Sequence, residues 1–167
     1  MYKIKLLILL LISINIISCS QKDLDKKNIS YSVDYIGGEY DGLVLNNLLT
    51  TYMKLSNIYD ETSRYELRAS INHTSDIFIT NIDNTSDREN ITSDLIVSIV
   101  DKRYKCDAFN YSDSLSQFYI YASSDKFLSN QNALDKIKFN NTEELIRKFI
   151  NNINNIKLSC VSKYRSN

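Results

Sequence analysis

From Tyr65 to Ile79 the chain alternates. Tyr65, Leu67, Ala69, Ile71 and His73 fall on one parity, Glu66, Arg68, Ser70 and Asn72 on the other, and Ile77 and Ile79 resume the first. A period of two marks a strand with one buried face, because successive side chains of an extended backbone point to opposite sides. The spacing predicts one long strand, kinked or bulged around Thr74 to Asp76. Further on, Ile91, Leu95, Val97 and Ile99 line one face of a second strand, with Ile96 and Val100 on the other, and Tyr104 to Tyr111 reads as a third. Asn81 to Asn90 and Asp101 to Arg103 are polar turns between them. Strands joined this closely pair most readily as an antiparallel meander.

The meander has helical neighbours. Tyr31, Val33 and Tyr35 alternate with Ser32 and Asp34 and stop at Gly37-Gly38, which predicts a first strand. Asp41 is placed to cap a helix in which Leu45, Leu48, Leu49 and Tyr52 recur at helical spacing. After the third meander strand, Leu115, Phe118, Tyr119 and Ala122 make a helical stripe, weakened around Ser129 to Asn132. Asn141-x-x-Glu144 has the pattern of a capping box opening a second helical piece, with Leu145, Ile146, Phe149, Ile150 and Ile153 on one face. Strand, helix, three strands and a long or broken helix predict an α+β domain. The arrangement expected is a two-layer sandwich with helices packed on one face of a mostly antiparallel four-stranded sheet.

The N-terminus carries a different signal. Behind Lys3 and Lys5 runs an apolar segment from Leu6 to Ile17, interrupted only by Ser13 and Asn15. As a helix it would be about 18 Å long, short of the roughly 20 residues a spanning helix needs. A basic start and a short apolar core are the marks of a secretory signal peptide. Ile16-Ile17-Ser18-Cys19 further resembles the bacterial lipobox, whose cysteine takes a diacylglycerol and becomes the mature N-terminus. The expected organisation is a signal peptide over 1–18, a lipidated tether over 19–30, a folded domain over 31–157 and a C-terminal tail over 158–167. Ser20, where aspartate would favour the inner membrane, points to the periplasmic face of the outer membrane.

Charge and side-chain inventory narrow the function. Without Lys3 and Lys5 the mature chain has 18 basic against 20 acidic residues, so no basic field is available for nucleic acid. Cys106 and Cys160 are either a disulfide closing a loop of about fifty residues, which in the chain-entropy account contributes about 3 to 4 kcal/mol, or two buried thiols. A metal site is not expected, with no CxxC and one histidine in the chain. His73, in the alternating face of a strand, reads as a half-buried packing residue. The chain contains no GxSxG, P-loop, dinucleotide-binding glycine turn or HExxH, so no enzyme activity is expected. No cofactor is expected beyond the covalent lipid on Cys19.

Several segments together resemble a known family. The lipobox cysteine is followed in order by a first strand, by Asp41-Gly42-Leu43-Val44-Leu45-Asn46-Asn47-Leu48-Leu49 and by Tyr65-Glu66-Leu67. Then come a Thr85 to Arg88 turn before a strand, and Asn110-Tyr111-Ser112-Asp113 leading to Tyr121-Ala122. This order resembles the LptE family of lipopolysaccharide-assembly lipoproteins, most closely its α-proteobacterial form. The resemblance implies a non-enzymatic outer-membrane protein that plugs and helps assemble the LptD β-barrel and binds lipopolysaccharide. A wedge roughly 25 Å across would suit a wide barrel with a polar lumen. It also implies a cationic site for lipid A phosphates. Arg88, matched to the family's turn arginine, is the first candidate because a guanidinium can grip phosphate bidentately. Lys102, Arg103 and Lys105 are the second. The alternative is a free-standing lipid-anchored periplasmic module or surface lipoprotein that captures a different ligand on its sheet.

Overall fold

The computed structural model describes residues 29–34, 36–37, 39–79, 87–120 and 126–160. Cys19, the signal segment 1–18, Thr85 and the Tyr121-Ala122 pair lie outside the described residues. Six elements follow in order: β1 (Tyr31–Val33), α1 (Tyr40–Leu55), β2 (Tyr65–Ile79), β3 (Asp87–Asp101), β4 (Cys106–Ile120) and α2 (Phe127–Ile153). The strands form one sheet in the order β1-β2-β3-β4. The architecture is α+β, with both helices on one face of the sheet, as the alternation and the helical stripes predict.

Three strands are fifteen residues each, about 50 Å at the usual rise per residue, longer than the expected wedge. β2 pairs antiparallel with β3, and β3 with β4. β1 pairs parallel with the start of β2, Tyr31 opposite Tyr65 and Val33 opposite Leu67. The parallel pairing follows from the connection: α1 carries the chain back to the end of the sheet where β1 began, so β2 must start there too. At this end, called proximal here, the Tyr31 amide donates to the Ile58 carbonyl (2.8 Å) and the Ile58 amide to the Met53 carbonyl (3.0 Å). The distal end lies at Ile79, Asp87 and Ile120.

The helix-facing parity holds the core. Leu67, Leu95, Val97 and Ile99 from the sheet are buried with Leu45, Leu49 and Met53 of α1 and Leu145, Ile146, Phe149 and Ile153 of α2. The Phe149 ring sits 5.2 Å from that of Tyr111. Near the start of α1, a β-carbon on Gly42 would stand 2.6 Å from the Gly37 carbonyl oxygen, so the close approach of that loop needs a glycine there.

Several details differ from the sequence reading. β3 begins at Asp87, so Arg88 lies in a strand and not in a turn, and Tyr104 lies in the β3–β4 turn and not in a strand. Register runs without a break through Thr74 to Asp76, and the bulge lies instead between Ile99 and Val100 of β3, where β4 carries Ala108 as an extra residue. Ala108 turns its carbonyl to accept the Ser159 amide (3.2 Å), fastening the segment after α2. Asp41 lies inside the first turn of α1, with Glu39 at the cap position; there its carboxylate still complements the helix dipole.

The larger corrections concern 113–153. Leu115, Phe118 and Tyr119 belong to β4, not to a helix. Their spacing also fits an alternation with Ser112, Ser114 and Ser116, and the ladder offered by β3 decides between the two. Asn141 is not a cap but lies within α2, which is unbroken over 27 residues. No glycine or proline interrupts it. The Asn141 side-chain nitrogen is fully buried against the sheet, 3.0 Å from Ser93 Oγ and 3.4 Å from the carbonyl oxygens of Ile91 and Leu115.

Candidate functional sites at the two ends of the sheet

β3 positions all four candidate cations, and it separates them. Arg88 is its second residue and pairs with Ile120 at the distal end. Lys102, Arg103 and Lys105 occupy the β3–β4 hairpin at the proximal end. Fourteen residues of extended chain from Arg88 to Lys102 span about 45 Å. These residues therefore fall into two candidate sites, and one small ligand cannot touch both.

At the distal end the face turned away from the helices carries Arg88, Phe118 and Ile120. The Arg88 guanidinium lies 5.4 Å from the centre of the Phe118 ring. Phe118 is 63% and Ile120 66% exposed. On the helix-facing side Ile77 is also exposed, while Glu89 is buried and accepts a hydrogen bond from the Tyr119 hydroxyl (2.5 Å). The result is an exposed guanidinium beside solvent-facing aromatic and aliphatic surface. Such a surface suits an amphiphile that joins an anionic head to a hydrocarbon portion. Phe118 and Ile120 were missed as site residues because their segment reads as helical; once it is a strand, both fall on the parity of Arg88.

The proximal end is built differently. Arg64 forms a forked ion pair with Asp101, its Nε 2.9 and 3.0 Å from the two carboxylate oxygens. Its guanidinium also lies 4.9 Å from the Tyr104 ring and 5.2 Å from the Tyr65 ring. Asp101 is buried and accepts the backbone amides of Arg103 (2.9 Å) and Tyr104 (3.3 Å). The Arg64 hydrogen bonds, helped by those amides, hold the Asp101 carboxyl below the usual carboxylate range. The carboxylate is therefore consumed in shaping the hairpin, while Lys102, Arg103 and Lys105 stay exposed. Beside them Cys106 is bonded to Cys160 as a disulfide, with the Cα atoms 5.7 Å apart. Leu158 of the same segment packs against the core.

Midway along the sheet, His73 Nδ1 lies 2.8 Å from Ser93 Oγ, to which Asn141 is also bonded. Burial pushes the imidazole below its ordinary value. Among the described residues no helix is long and apolar enough to cross a membrane.

No protein-family model and no curated protein matches the chain. Solved structures do match. The minor lipoprotein of Acinetobacter baumannii aligns at 14% identity with a TM-score of 0.60, over 81% of this chain and 97% of its own. A lipoprotein from Caulobacter crescentus aligns at 13% identity and a TM-score of 0.57, over 77% of this chain and 90% of its own. Rare lipoprotein B from Shewanella oneidensis aligns at 10% identity and a TM-score of 0.51, over 75% of this chain and 96% of its own. The chain thus shares its fold with bacterial lipoproteins, over nearly the whole length of each.

Proposed function

We propose that this chain is an outer-membrane lipoprotein of the lipopolysaccharide transport machinery, anchored through Cys19, that plugs and helps assemble an LptD-like β-barrel and binds lipopolysaccharide. It works without catalysis or cofactor. The distal tip carries the reading. Arg88 beside exposed Phe118 and Ile120 offers a phosphate-gripping cation next to apolar surface, and lipid A joins phosphates to acyl chains. Two further observations support it: the lipobox at Ile16 to Cys19, and a fold shared with proteins named as lipoproteins. The uncovered sheet face carries Ser70, Asn72, Thr92, Ser98, Ser112 and Ser114 around the exposed Ile96, a mostly polar surface of the kind a water-filled barrel lumen accommodates.

The test is twofold. Pull-down of the full-length protein from detergent-solubilised outer membrane should recover a large β-barrel protein; recovery of no barrel favours the free-standing module. Arg88→Glu should weaken lipopolysaccharide binding about tenfold or more, as expected for loss of a charge-assisted contact and its reversal, while leaving the circular dichroism spectrum unchanged. Unchanged affinity removes Arg88 from the site.

A further inference from the structure

We infer that the proximal hairpin Lys102–Lys105 is a membrane-surface dock, in which three cations and Tyr104 rest on anionic phospholipid head groups beside the lipid anchor. The inference rests on the proposed acylation of Cys19 for its position and on the hairpin's own chemistry for its contact.

The chain reaches β1 at the proximal end: Ser63 Oγ donates to the Ser30 carbonyl (2.5 Å), and Lys102 Nζ lies 3.2 Å from Ser32 Oγ. Cys19 precedes Ile29 by ten residues, and ten residues of chain reach at most about 35 Å. An anchor on Cys19 therefore holds this end near the lipid surface. The distal tip lies about 50 Å farther along the strands.

The chemistry is suited to that place. Lys102, Arg103 and Lys105 are exposed, and none of them is in an ion pair among the described residues. The nearest carboxylate, Asp101, is buried and bound to Arg64. Two exposed acids nearby form no ion pair with the hairpin: Asp60 accepts the Thr62 amide (2.9 Å) and hydroxyl (2.7 Å), with the Lys102 charge also reaching its carboxylate, and Glu61 accepts the Tyr59 hydroxyl (3.3 Å). Asp107 remains exposed on the same end. Between the cations stands Tyr104, 62% exposed, with Arg64 and Arg103 over its ring at 4.9 and 5.7 Å. An amphipathic ring flanked by cations matches the head-group level of a bilayer, where tyrosine hydroxyls meet water and basic side chains meet phosphate. Arg88 and its apolar neighbours, at the other pole, are left free for a different ligand.

The chain contains no tryptophan, so one introduced residue reports alone. Full-length Tyr104→Trp, reconstituted into vesicles of phosphatidylethanolamine and phosphatidylglycerol carrying brominated chains, should emit at a blue-shifted wavelength and be quenched. Phe118→Trp, at the distal tip, should not be. Asp107→Trp, exposed on the same end, gives a second reporter that keeps all three cations if Tyr104→Trp perturbs the fold. Adding Lys102→Gln, Arg103→Gln and Lys105→Gln to Tyr104→Trp should abolish most of the quenching, as should phosphatidylcholine vesicles. Equal, water-like emission from the Tyr104→Trp and Phe118→Trp proteins would overturn the dock. Mass spectrometry of Cys19 reads the anchor separately. An acylated protein with an unquenched hairpin sinks this inference alone. If Cys19 carries no lipid, salt-sensitive quenching of Tyr104→Trp added from solution to the same vesicles still upholds the contact, and its absence overturns it.

Discussion

The two halves of the sheet share one sequence pattern and have different fates. In the proximal half, the rows Leu67–Ile99–Phe109 and Ala69–Val97–Tyr111 lie beneath α1 and α2, and Leu67, Ile99 and Val97 have no exposed surface. In the distal half, the row Ser75–Ile91–Gln117 has only Ile91 buried, and Ile77 is 62% exposed although it keeps the parity of the core. The difference lies in the helices. α1 has 16 residues and covers about 24 Å of a sheet about 50 Å long. Its first residues, Tyr40 and Asp41, line a small cleft with His73, and β2 beyond that point has no α1 above it. Alternation makes a strand, but a second layer makes a core. α2, with 27 residues, continues over β3 and keeps Glu89 and Ile91 buried. The projecting surface of the distal half is therefore β2 and the tip, while the proximal half lies under both helices.

Removing core from the proximal half tests this most severely. Phe149→Ala should lower stability by about 3 to 5 kcal/mol, the range for a fully buried aromatic whose loss leaves a cavity. Urea unfolding reads it, and a loss under about 1 kcal/mol would mean that the two halves are held together more evenly than their burial indicates. Opening the disulfide comes next. The Cys106→Ser, Cys160→Ser double variant frees a link across 54 residues, for which the chain-entropy account gives about 4 kcal/mol and engineered cases often less. The same variant should leave the lipopolysaccharide binding proposed for the distal tip unchanged, since the link lies at the other pole.

The row between the halves should respond to pH. His73 is held next to Ser93 with Asp41 of α1, Asp94 of β3 and Lys138 of α2 around it, and burial is the first cause of its lowered pKa. Its ordinary value is 6.5. The unfolded chain therefore binds the proton more readily than the folded one. The stability this group contributes is complete above about pH 6.5 and is lost as pH falls from there toward the folded value. His73→Gln should flatten that slope in unfolding measured across the interval. Asp101 acts in a lower window. Its depressed carboxyl contributes stability that is complete above the ordinary value of 3.8 and is lost as pH falls through its folded value, so Asp101→Asn should remove a slope that His73→Gln leaves in place.

Much of the fold is legible in the sequence, and the places where it is not share a cause. The strand face of β2 and β3 followed from alternation, and the α1 stripe from Leu45, Leu48, Leu49 and Tyr52, because each local pattern agrees with its tertiary burial. The second half of β4 did not, since Leu115, Phe118 and Tyr119 satisfy both periods and only the β3 ladder selects one. Asn141 misled for a similar reason: a buried asparagine that bonds the sheet looks, in sequence, like one that caps a helix. The three-residue β1 shows its strand character in sequence but not its parallel pairing, which depends on where α1 returns the chain. Of the site, Arg88 and the Lys102 to Lys105 cluster were visible as charges. Their separation was implicit in β3's length, whereas Phe118 and Ile120 appeared at the tip only when the fold turned them onto the Arg88 face.

The smallest expected effect is the one that best isolates the contrast. Ile77 and Ile71 lie on the same strand and the same face, six residues apart. Ile71 is half-buried and packs against the core, whereas Ile77 is exposed. A helix-covered aliphatic loses transfer energy and leaves a gap when shortened, so Ile71→Ala should cost about 2 kcal/mol. Ile77→Ala removes side chain that water already surrounds and should change stability by less than about 0.5 kcal/mol. Paired urea titrations decide it. Equal losses would mean that a further layer covers the distal half of β2 in solution. A silent Ile77→Ala that nonetheless weakens lipopolysaccharide binding would give that exposed residue its reason, since a side chain with no part in the core would then be part of the tip's apolar surface.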